Sequence, residues 1–97
     1  MPRYVVLANL TEQGIKNIKD APAGIEAVAK ALEAAGGKLI DFYVVMGDYD
    51  YVVIGEAPSD EVALAQLLSV GMAGNVRTTT MRAFTREEFA KVVQQLP

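Results

Sequence analysis

The chain has 97 residues with 9 basic and 12 acidic side chains, so its formal charge is −3, and it contains neither cysteine nor histidine. These numbers exclude disulfides, thiolate chemistry and histidine-ligated metal or haem, and the lack of a basic cluster argues against nucleic acid as a partner. No apolar run reaches the about 18 residues that cross a bilayer, and no signal-peptide pattern opens the chain, so we expect a cytoplasmic protein without a membrane partner, cofactor or metal.

The first third of the chain predicts a strand, a short helical turn and a long helix. Tyr4–Ala8 is an apolar run rich in β-formers and is strand 1. Thr11 then caps a brief helical turn, and Lys16–Asp20 is a polar connection. Pro22 suits the first turn of a helix whose apolar side chains recur at helical spacing, and Gly36-Gly37 supplies its left-handed stop.

The next two segments predict a tight β-hairpin that is apolar on both faces. Leu39–Met46 and Tyr49–Ala57 are strand-like, and Gly47-Asp48 between them suits a two-residue turn with glycine at positive φ. The turn predicts three cross-strand pairs: Val44 with Tyr51, Phe42 with Val53, and Ile40 with Gly55. Because a half-solvated sheet is not apolar on both sides, we expect a second subunit, or in part the C-terminal helix, to cover the face that the other helices leave open.

The last third predicts a helix, a strand and a final helix. Ser59 caps the second long helix, for which we predict a buried stripe of Leu64, Leu67, Leu68 and Gly71. Asn75–Ala83 is the fourth strand, Thr85-x-x-Glu88 is a capping box, and Phe84 and Phe89 suit a hydrophobic staple. The order β-α-β-β-α-β with an extra C-terminal helix predicts one α+β domain over residues 1–97, built on a ferredoxin-like antiparallel sheet.

Several segments in a fixed order resemble the GYD-domain family. Gly47-Asp48-Tyr49-Asp50 is similar to the signature that names this family, and the match extends over nearly the whole chain. The other matching segments are Tyr4–Leu7, Thr11–Lys16, Gly36–Leu39, Gly74–Thr80 and Arg82–Phe84. The resemblance implies a bacterial or archaeal member of the dimeric α/β-barrel superfamily, in which two open sheet faces pack together, and it implies no reaction.

A looser likeness concerns the same hairpin and the last strand. Gly47–Asp50 together with Val76–Thr80 is similar to the effector-binding domain of Lrp/AsnC-type regulators. Those domains bind amino acids at subunit interfaces. The chain shows no helix-turn-helix, so this resemblance implies at most a ligand sensor that stands alone.

A first candidate ligand site combines residues of three strands. We expect strand 1 to lie between strands 3 and 4, parallel to strand 3 and antiparallel to strand 4. This arrangement gathers Asp48, Tyr49, Asp50, Arg3, Tyr4 and Arg82 at one end of the sheet. Such a cluster could bind a small polar ligand, with Tyr49 as an apolar wall carrying a hydroxyl. Alternatively, Gly47 serves turn geometry and Asp50 pairs with Arg82 or Arg3 to fix the register.

A second candidate site lies at the opposite end of the same sheet. It joins Asn9, Thr11 and Lys16, after strand 1, with Asn75, Arg77 and Thr79 at the start of strand 4, and Glu56 nearby. These side chains could hold a carboxylate or phosphate, with Arg77 gripping it through two nitrogens. Alternatively, Asn9, Thr11 and Asn75 cap and turn the chain while Arg77 is solvated.

Function stays open between binding and catalysis at this stage. The first hypothesis is a homo-oligomeric module that binds a small polar molecule or another protein at its subunit interface. The alternative is a cofactor-independent isomerase or monooxygenase, and a third is an assembly subunit without a pocket. An enzyme should place one of five side chains in an interface pocket with a shifted pKa: Asp50, Asp41, Tyr43, Lys16 or Arg77.

Overall fold

The chain folds into a four-stranded sheet with two long helices, in a computed structural model that describes all residues, 1–97. The elements are β1 Arg3–Leu10, α1 Glu12–Lys16, a 3₁₀ turn Ile18–Asp20, α2 Ala21–Ala34, β2 Lys38–Val44, β3 Tyr51–Glu56, α3 Asp60–Ala73, β4 Val76–Ala83 and α4 Arg86–Gln94. This order confirms the predicted ferredoxin-like arrangement with an extra C-terminal helix. No helix is both long enough and apolar enough to cross a membrane.

The strands lie in the order β2-β3-β1-β4, and each neighbouring pair is antiparallel. The prediction that β1 runs parallel to β3 is therefore wrong. β1 and β2 are joined by a helical crossover and run in the same direction, and the hairpin then reverses β3. As a result, the start of β3 lies beside the end of β1, where Tyr51 is opposite Ala8.

Local sequence signals set most helix ends. Thr11, Ser59 and Thr85 each accept a hydrogen bond from a backbone N–H in the first turn of the helix that follows. α2 carries proline in its first turn, and Gly36, two residues after the end of the helix, has a left-handed φ of 90°. All of these features were predicted from the sequence and are confirmed.

The hairpin between β2 and β3 keeps the predicted register but turns more widely. Val44 is opposite Tyr51 and Phe42 is opposite Val53, as predicted, whereas Gly55 is opposite Leu39, because an irregularity between Leu39 and Asp41 displaces Ile40 from the ladder. The ladder closes with the bond from Val45 N to Asp50 O, 2.8 Å, so four residues form the turn rather than two. The physical reason is that Asp50 is already held by β1: its N–H donates to Ala8 O at 2.9 Å.

Helices α2 and α3 cover one face of the sheet without closing on it. Only 6 of 97 residues are buried, and the central cluster comprises Tyr4, Ala57 and Ala63. The predicted buried stripe of α3 is wrong at Leu64 and Leu68, which are 56% and 60% exposed, and at Gly71, which is also exposed; Leu67 is half-buried. α3 is instead turned so that the small side chain of Ala63 packs against Tyr4 and Ala57.

Candidate functional site

The first predicted cluster does not form, because β3 runs opposite to the expected direction. Asp50 lies beside the end of β1, whereas Arg82 pairs with Tyr4 near the start of β1. Arg77 and Arg82 are five residues apart on β4, so the two ends are separated by about 16 Å. Asp48, Tyr49 and Asp50 therefore share no site with Arg3, Tyr4 and Arg82.

Asp50 is a structural acceptor in the folded chain. Its carboxylate Oδ2 accepts a hydrogen bond from the backbone N–H of Leu10 at 2.8 Å, so it continues the β1–β3 pairing with a side chain. The alternative prediction, that Asp50 pairs with Arg82 or Arg3, is also wrong. Arg3 instead pairs with Glu56 across the strands, with 2.7 Å between Nη2 and Oε1. Glu56 thus belongs to the Arg3 end of the sheet and not to the second predicted cluster.

A buried tyrosine organises the Arg82 end. The hydroxyl of Tyr4 donates to the carboxylate of Asp60 in the first turn of α3, and the guanidinium of Arg82 lies 5.8 Å from the Tyr4 ring centroid. Burial and the hydrogen bond to Asp60 raise the pKa of Tyr4. The phenol is therefore held neutral as a donor, and Arg82 also stacks on Phe84 at 4.6 Å.

At the other end, two loops are joined by backbone and side-chain bonds. Thr11 donates from its N–H to Asn75 O at 2.9 Å and from its hydroxyl to Gly74 O at 2.6 Å. Gln13 adds bonds to Ala73 O, 2.8 Å, and to Asn75 Oδ1, 3.0 Å. The capping and turn alternative is thus confirmed for Thr11 and Asn75, and the sequence reasoning missed Gln13, for which no local signal exists.

The other predicted ligand residues of this end lie on the surface. Asn9 and Arg77 are directly opposite each other on β1 and β4, and both are exposed. Lys16 is exposed and lies 3.4 Å from Glu12 one helical turn earlier. Asn9 and Arg77 therefore form a surface pair. Lys16 forms an ion pair with Glu12 within its own helix, and such exposed pairs contribute little to the free energy of unfolding.

The sheet face opposite the helices, here called the open face, is apolar and uncovered. Side chains alternate along a strand, and Tyr4, Val6 and Ala8 point toward the helices, so their neighbours point away. The apolar residues of the open face are Val5 and Leu7 on β1, Tyr43 on β2, Val52 and Ile54 on β3, and Met81 on β4. Polar residues on the same side lie toward its edges and ends: Arg3, Asn9, Asp41, Glu56, Arg77 and Thr79. Tyr43 and Met81 are about half exposed, at 55% and 45%. A face of this kind is typical of an interaction surface.

Helix α4 presents a second apolar surface. Its capping box is formed as predicted, with Thr85 and Glu88 bonded reciprocally. Phe89, Val92, Val93 and Leu96, here called the α4 stripe, recur at helical spacing and are 44% to 64% exposed. Phe84 and Phe89, predicted to pack as a staple, are each at least 60% exposed. The helix therefore leaves its apolar side without a partner in the chain.

A cavity of about 370 Å³ separates the sheet from helices α2 and α3. Its walls are mostly apolar and include Val6, Phe42, Val53, Ile25 and Leu67. None of the five side chains proposed from the sequence as catalytic lines it. The sequence reasoning missed this cavity; the available signal was the number of small residues among the inward-facing positions: Ala8, Ala21, Gly24, Gly55, Ala63 and Ala73.

Comparisons with known proteins agree with this fold. A family model for the GYD domain matches residues 4–93. A "glutamine synthetase and cystathionine beta-lyase binding protein" from Thermus thermophilus is 32% identical over 84 residues, which is 86% of this chain and 88% of that protein. A feast or famine regulatory protein from M. tuberculosis, solved with L-methionine, superposes with a TM-score of 0.66 at 20% identity over 88% of this chain; it shows the fold, and the chain spans about half of it, 51%. The chain therefore belongs to the GYD domain family.

Proposed function

We propose that this chain is a self-associating binding module: the open face pairs with a second copy, and the resulting dimer binds an enzyme. The observation that carries the proposal is the apolar open face, centred on Leu7 and Val52, which no part of the chain covers. Burial of such a face is favourable by about 25 cal/mol for each Å² removed from water.

A second copy suits the open face because its charges are few and placed at the edges. The ion pair of Arg3 and Glu56 is already satisfied within the chain. Asp41 lies on the β2 edge and Arg77 on the β4 edge. A two-fold axis along the strands would set the β2 edge of one copy over the β4 edge of the other, and the apolar centres would meet.

An enzyme is the partner that we propose for the dimer. The relative from Thermus thermophilus is named as a binding protein for glutamine synthetase and cystathionine β-lyase, and it is similar over most of both chains. The α4 stripe offers a surface of the right kind, because an amphipathic helix with exposed apolar side chains commonly docks into a groove of another protein. The open face and the α4 stripe then serve two separate contacts.

A small polar ligand at the subunit interface is the second candidate function. It is favoured by the exposed cross-strand pair of Asn9 and Arg77 at the edge of the open face. In a dimer, these side chains would supply an amide and a guanidinium to the rim of the interface, a combination that recognises carboxylates. Tyr49, Asp50, Lys16 and Arg82 take no part in this version of the site.

The self-association is tested by the mass of the particle in sedimentation equilibrium. The wild-type chain should have twice the mass of one 10.4 kDa chain, and Leu7→Asp should have the mass of one chain because a carboxylate cannot be buried unpaired. Val44→Asp is the matched control, since Val44 is 72% exposed and lies off the open face. A monomeric wild type, or dimeric Leu7→Asp, would count against the proposal.

The enzyme partner is tested by calorimetric titration with glutamine synthetase and with cystathionine β-lyase of the same organism. Wild type should bind at least one of them, and Phe89→Ser in the α4 stripe should weaken that binding at least tenfold without changing the mass of the dimer. Lys91→Ser is the control on the same helix. If neither enzyme binds, the partner is wrong; if L-glutamine or L-methionine binds instead and Arg77→Ala abolishes it, the second candidate is right.

A further inference from the structure

We infer that the cavity between the sheet and helices α2 and α3 is a binding site for a small, neutral, largely apolar molecule that carries one hydrogen-bonding group. This inference is independent of the proposed function, since the cavity lies inside one chain and on the side of the sheet away from the open face. Its apolar walls come from all four strands and both long helices, for example Phe42, Val53, Ile25 and Leu67. A concave, mostly apolar cavity with few polar groups is typical of small-molecule sites.

Thr80 supplies the polar anchor. Its hydroxyl oxygen is inaccessible to solvent, and no hydrogen-bond partner lies within reach. Thr80 lines the cavity on β4, directly opposite Val6 of β1, which also lines it. An unpaired buried hydroxyl is costly, and the large majority of buried side-chain polar atoms in folded proteins have a hydrogen-bond partner. Rotation about the Cα–Cβ bond of Thr80 would turn this hydroxyl into the cavity, where a ligand hydroxyl or carbonyl would supply the missing hydrogen bond.

The charge of the lining excludes anions. Asp20 and Glu56 are the only charged residues that line the cavity, and no lysine or arginine does. The Glu56 carboxylate already pairs with Arg3, so an organic acid would bring its charge into a mostly apolar cavity, with Asp20 at the edge and no cation to compensate it. The ligand class is consequently a neutral alcohol, phenol or ketone and not a carboxylate such as an amino acid or a fatty acid.

The size of the cavity limits the ligand to about two fused rings. An apolar cavity of about 150 Å³ holds one benzene molecule, so about 370 Å³ accommodates roughly twice that. Entry requires no unfolding, because lining residues at the edge, such as Asp20 and Gly24, are exposed to solvent. 2-Naphthol is a suitable probe because it combines two rings with a single hydroxyl group.

The location of binding is tested by titrating 2-naphthol into ¹³C-labelled wild-type protein. We expect saturable binding with intermolecular NOEs to methyl groups of the cavity, in Ile25, Val53 and Leu67, and none to Leu7 or Ile54 of the open face. NOEs confined to the open face, or a lack of saturation, would overturn the inference. So would 2-naphthoate that binds as tightly as 2-naphthol.

Cavity-filling variants test whether the space itself is required. Val6→Phe enlarges a side chain on the central strand facing the cavity and should weaken 2-naphthol binding at least tenfold. Val44→Phe is the matched control, because Val44 is exposed and does not line the cavity, and it should bind as wild type does. If Val6→Phe fails to fold, Gly24→Leu carries the same expectation, since a Cβ at Gly24 meets no atom within 4 Å. Unchanged binding in a folded filling variant would overturn the inference.

The anchor is tested separately with Thr80→Val, which keeps the shape of the side chain and removes its hydroxyl. Loss of one hydrogen bond in this variant should weaken 2-naphthol binding by roughly three- to tenfold. Naphthalene, which has no hydroxyl, should bind Thr80→Val as tightly as wild type. An equal loss for both compounds would show that Thr80 acts by packing alone and would overturn the assignment of the anchor.

Discussion

At the scale of single residues, Gly14 of α1 has less room for a side chain than any other glycine of the chain. A Cβ atom added there would lie 2.1 Å from Asn75 O, the oxygen that accepts the hydrogen bond of Thr11 N. The backbone would have to move apart and break that bond. We expect Gly14→Ala to lower the free energy of unfolding by about 2 kcal/mol or more, although alanine is the better helix former.

Gly71→Ala provides the control for this change, measured by urea unfolding. Gly71 lies in α3, and a Cβ there meets no atom within 4 Å. The higher helix propensity of alanine alone should then raise the free energy of unfolding by up to about 1 kcal/mol. If both alanine variants were stabilised to a similar extent, the close approach of α1 to Asn75 would be disproved.

The ion pair of Arg3 and Glu56 makes stability depend on pH. The hydrogen bond from Arg3 lowers the pKa of Glu56 below its ordinary value of 4.5. A carboxyl group whose pKa is lower in the folded chain stabilises the fold above its unfolded pKa, and that contribution is lost as the pH falls through the folded value. We expect Glu56→Gln to flatten the decline of stability between pH 6 and pH 3 (about the range that brackets an ordinary glutamate).

Urea unfolding across that range checks the prediction, with Glu33→Gln as the control. Glu33 is exposed on α2 and forms no ion pair. The control should keep the slope of the wild type. If the free energy of unfolding of Glu56→Gln declined with falling pH as steeply as that of the wild type, other carboxyl groups would be responsible for the decline.

Residue roles were predictable where the partner is close in sequence. Thr11, Ser59 and Thr85 bond to N–H groups three residues later, so the cap and its partner are seen together in the sequence. Asp50 bonds to Leu10, 40 residues away. Its partner, and that of Glu56, depends on the direction of β3 relative to β1, and a single wrong direction moved both carboxylates to the other end of the sheet.

At the scale of elements, α4 owes its helical form mainly to its own sequence. It has nine residues, fewer than the about 12 needed for a marginally stable isolated helix, and its apolar stripe is exposed. The backbone N–H of Thr85 donates to Glu88 at 2.8 Å and lowers the pKa of that carboxyl group. We expect Thr85→Ala to unfold α4 locally, because loss of an N-cap costs about 1 kcal/mol.

Native-state hydrogen exchange tests this prediction, because it measures the exchange rates of the backbone amides in each helix and strand separately. In Thr85→Ala, amides of α4 should exchange faster while amides of β1 and β3 exchange at the wild-type rate. Ser59→Ala, which removes the matching cap of α3, should instead speed exchange throughout the sheet, because α3 carries Ala63 of the central cluster. Amides of α4 as well protected as those of β1 would mean that the helix is packed against a partner.

The boundaries of elements were predicted well and their rotation less well. Pro22 and Gly36 give the ends of α2, and the apolar run gives β1. The side that α3 buries was mispredicted, because leucine spacing alone favours Leu64 and Leu68, whereas Ala63 is the residue that packs against Tyr4 and Ala57. Which side of α3 faces the sheet depends on how the layers assemble and cannot be read from one helix.

At the scale of the whole molecule, the chain is extended and thinly covered. Its Cα radius of gyration is 14.7 Å, whereas about 12.5 Å is typical of a compact chain of this length. The principal extents are 53, 31 and 18 Å. The short dimension is that of one sheet with one helix layer, so the second side of the sheet has no layer of its own. A second copy would supply it.

The dimer that we propose makes thermal stability depend on protein concentration. A dimer that unfolds to separate chains is stabilised by mass action, and the midpoint rises with concentration. For a chain of 97 residues, each tenfold increase should raise Tm by roughly 3 °C, since half of RT ln 10 is divided by the unfolding entropy of one chain. Differential scanning calorimetry between 5 and 500 μM (about two decades, well within the linear regime of mass action) measures this rise.

Leu7→Asp removes the same dependence if the open face is the interface. The variant should unfold at one temperature whatever its concentration, and below the wild type at each one, because Val5, Val52 and Ile54 stay in contact with water. Val44→Asp should keep the wild-type slope, since Val44 lies outside the open face. A wild-type Tm that does not change with concentration would mean that the chain is a monomer with its open face uncovered. The open face would then be available for the contact with the enzyme instead.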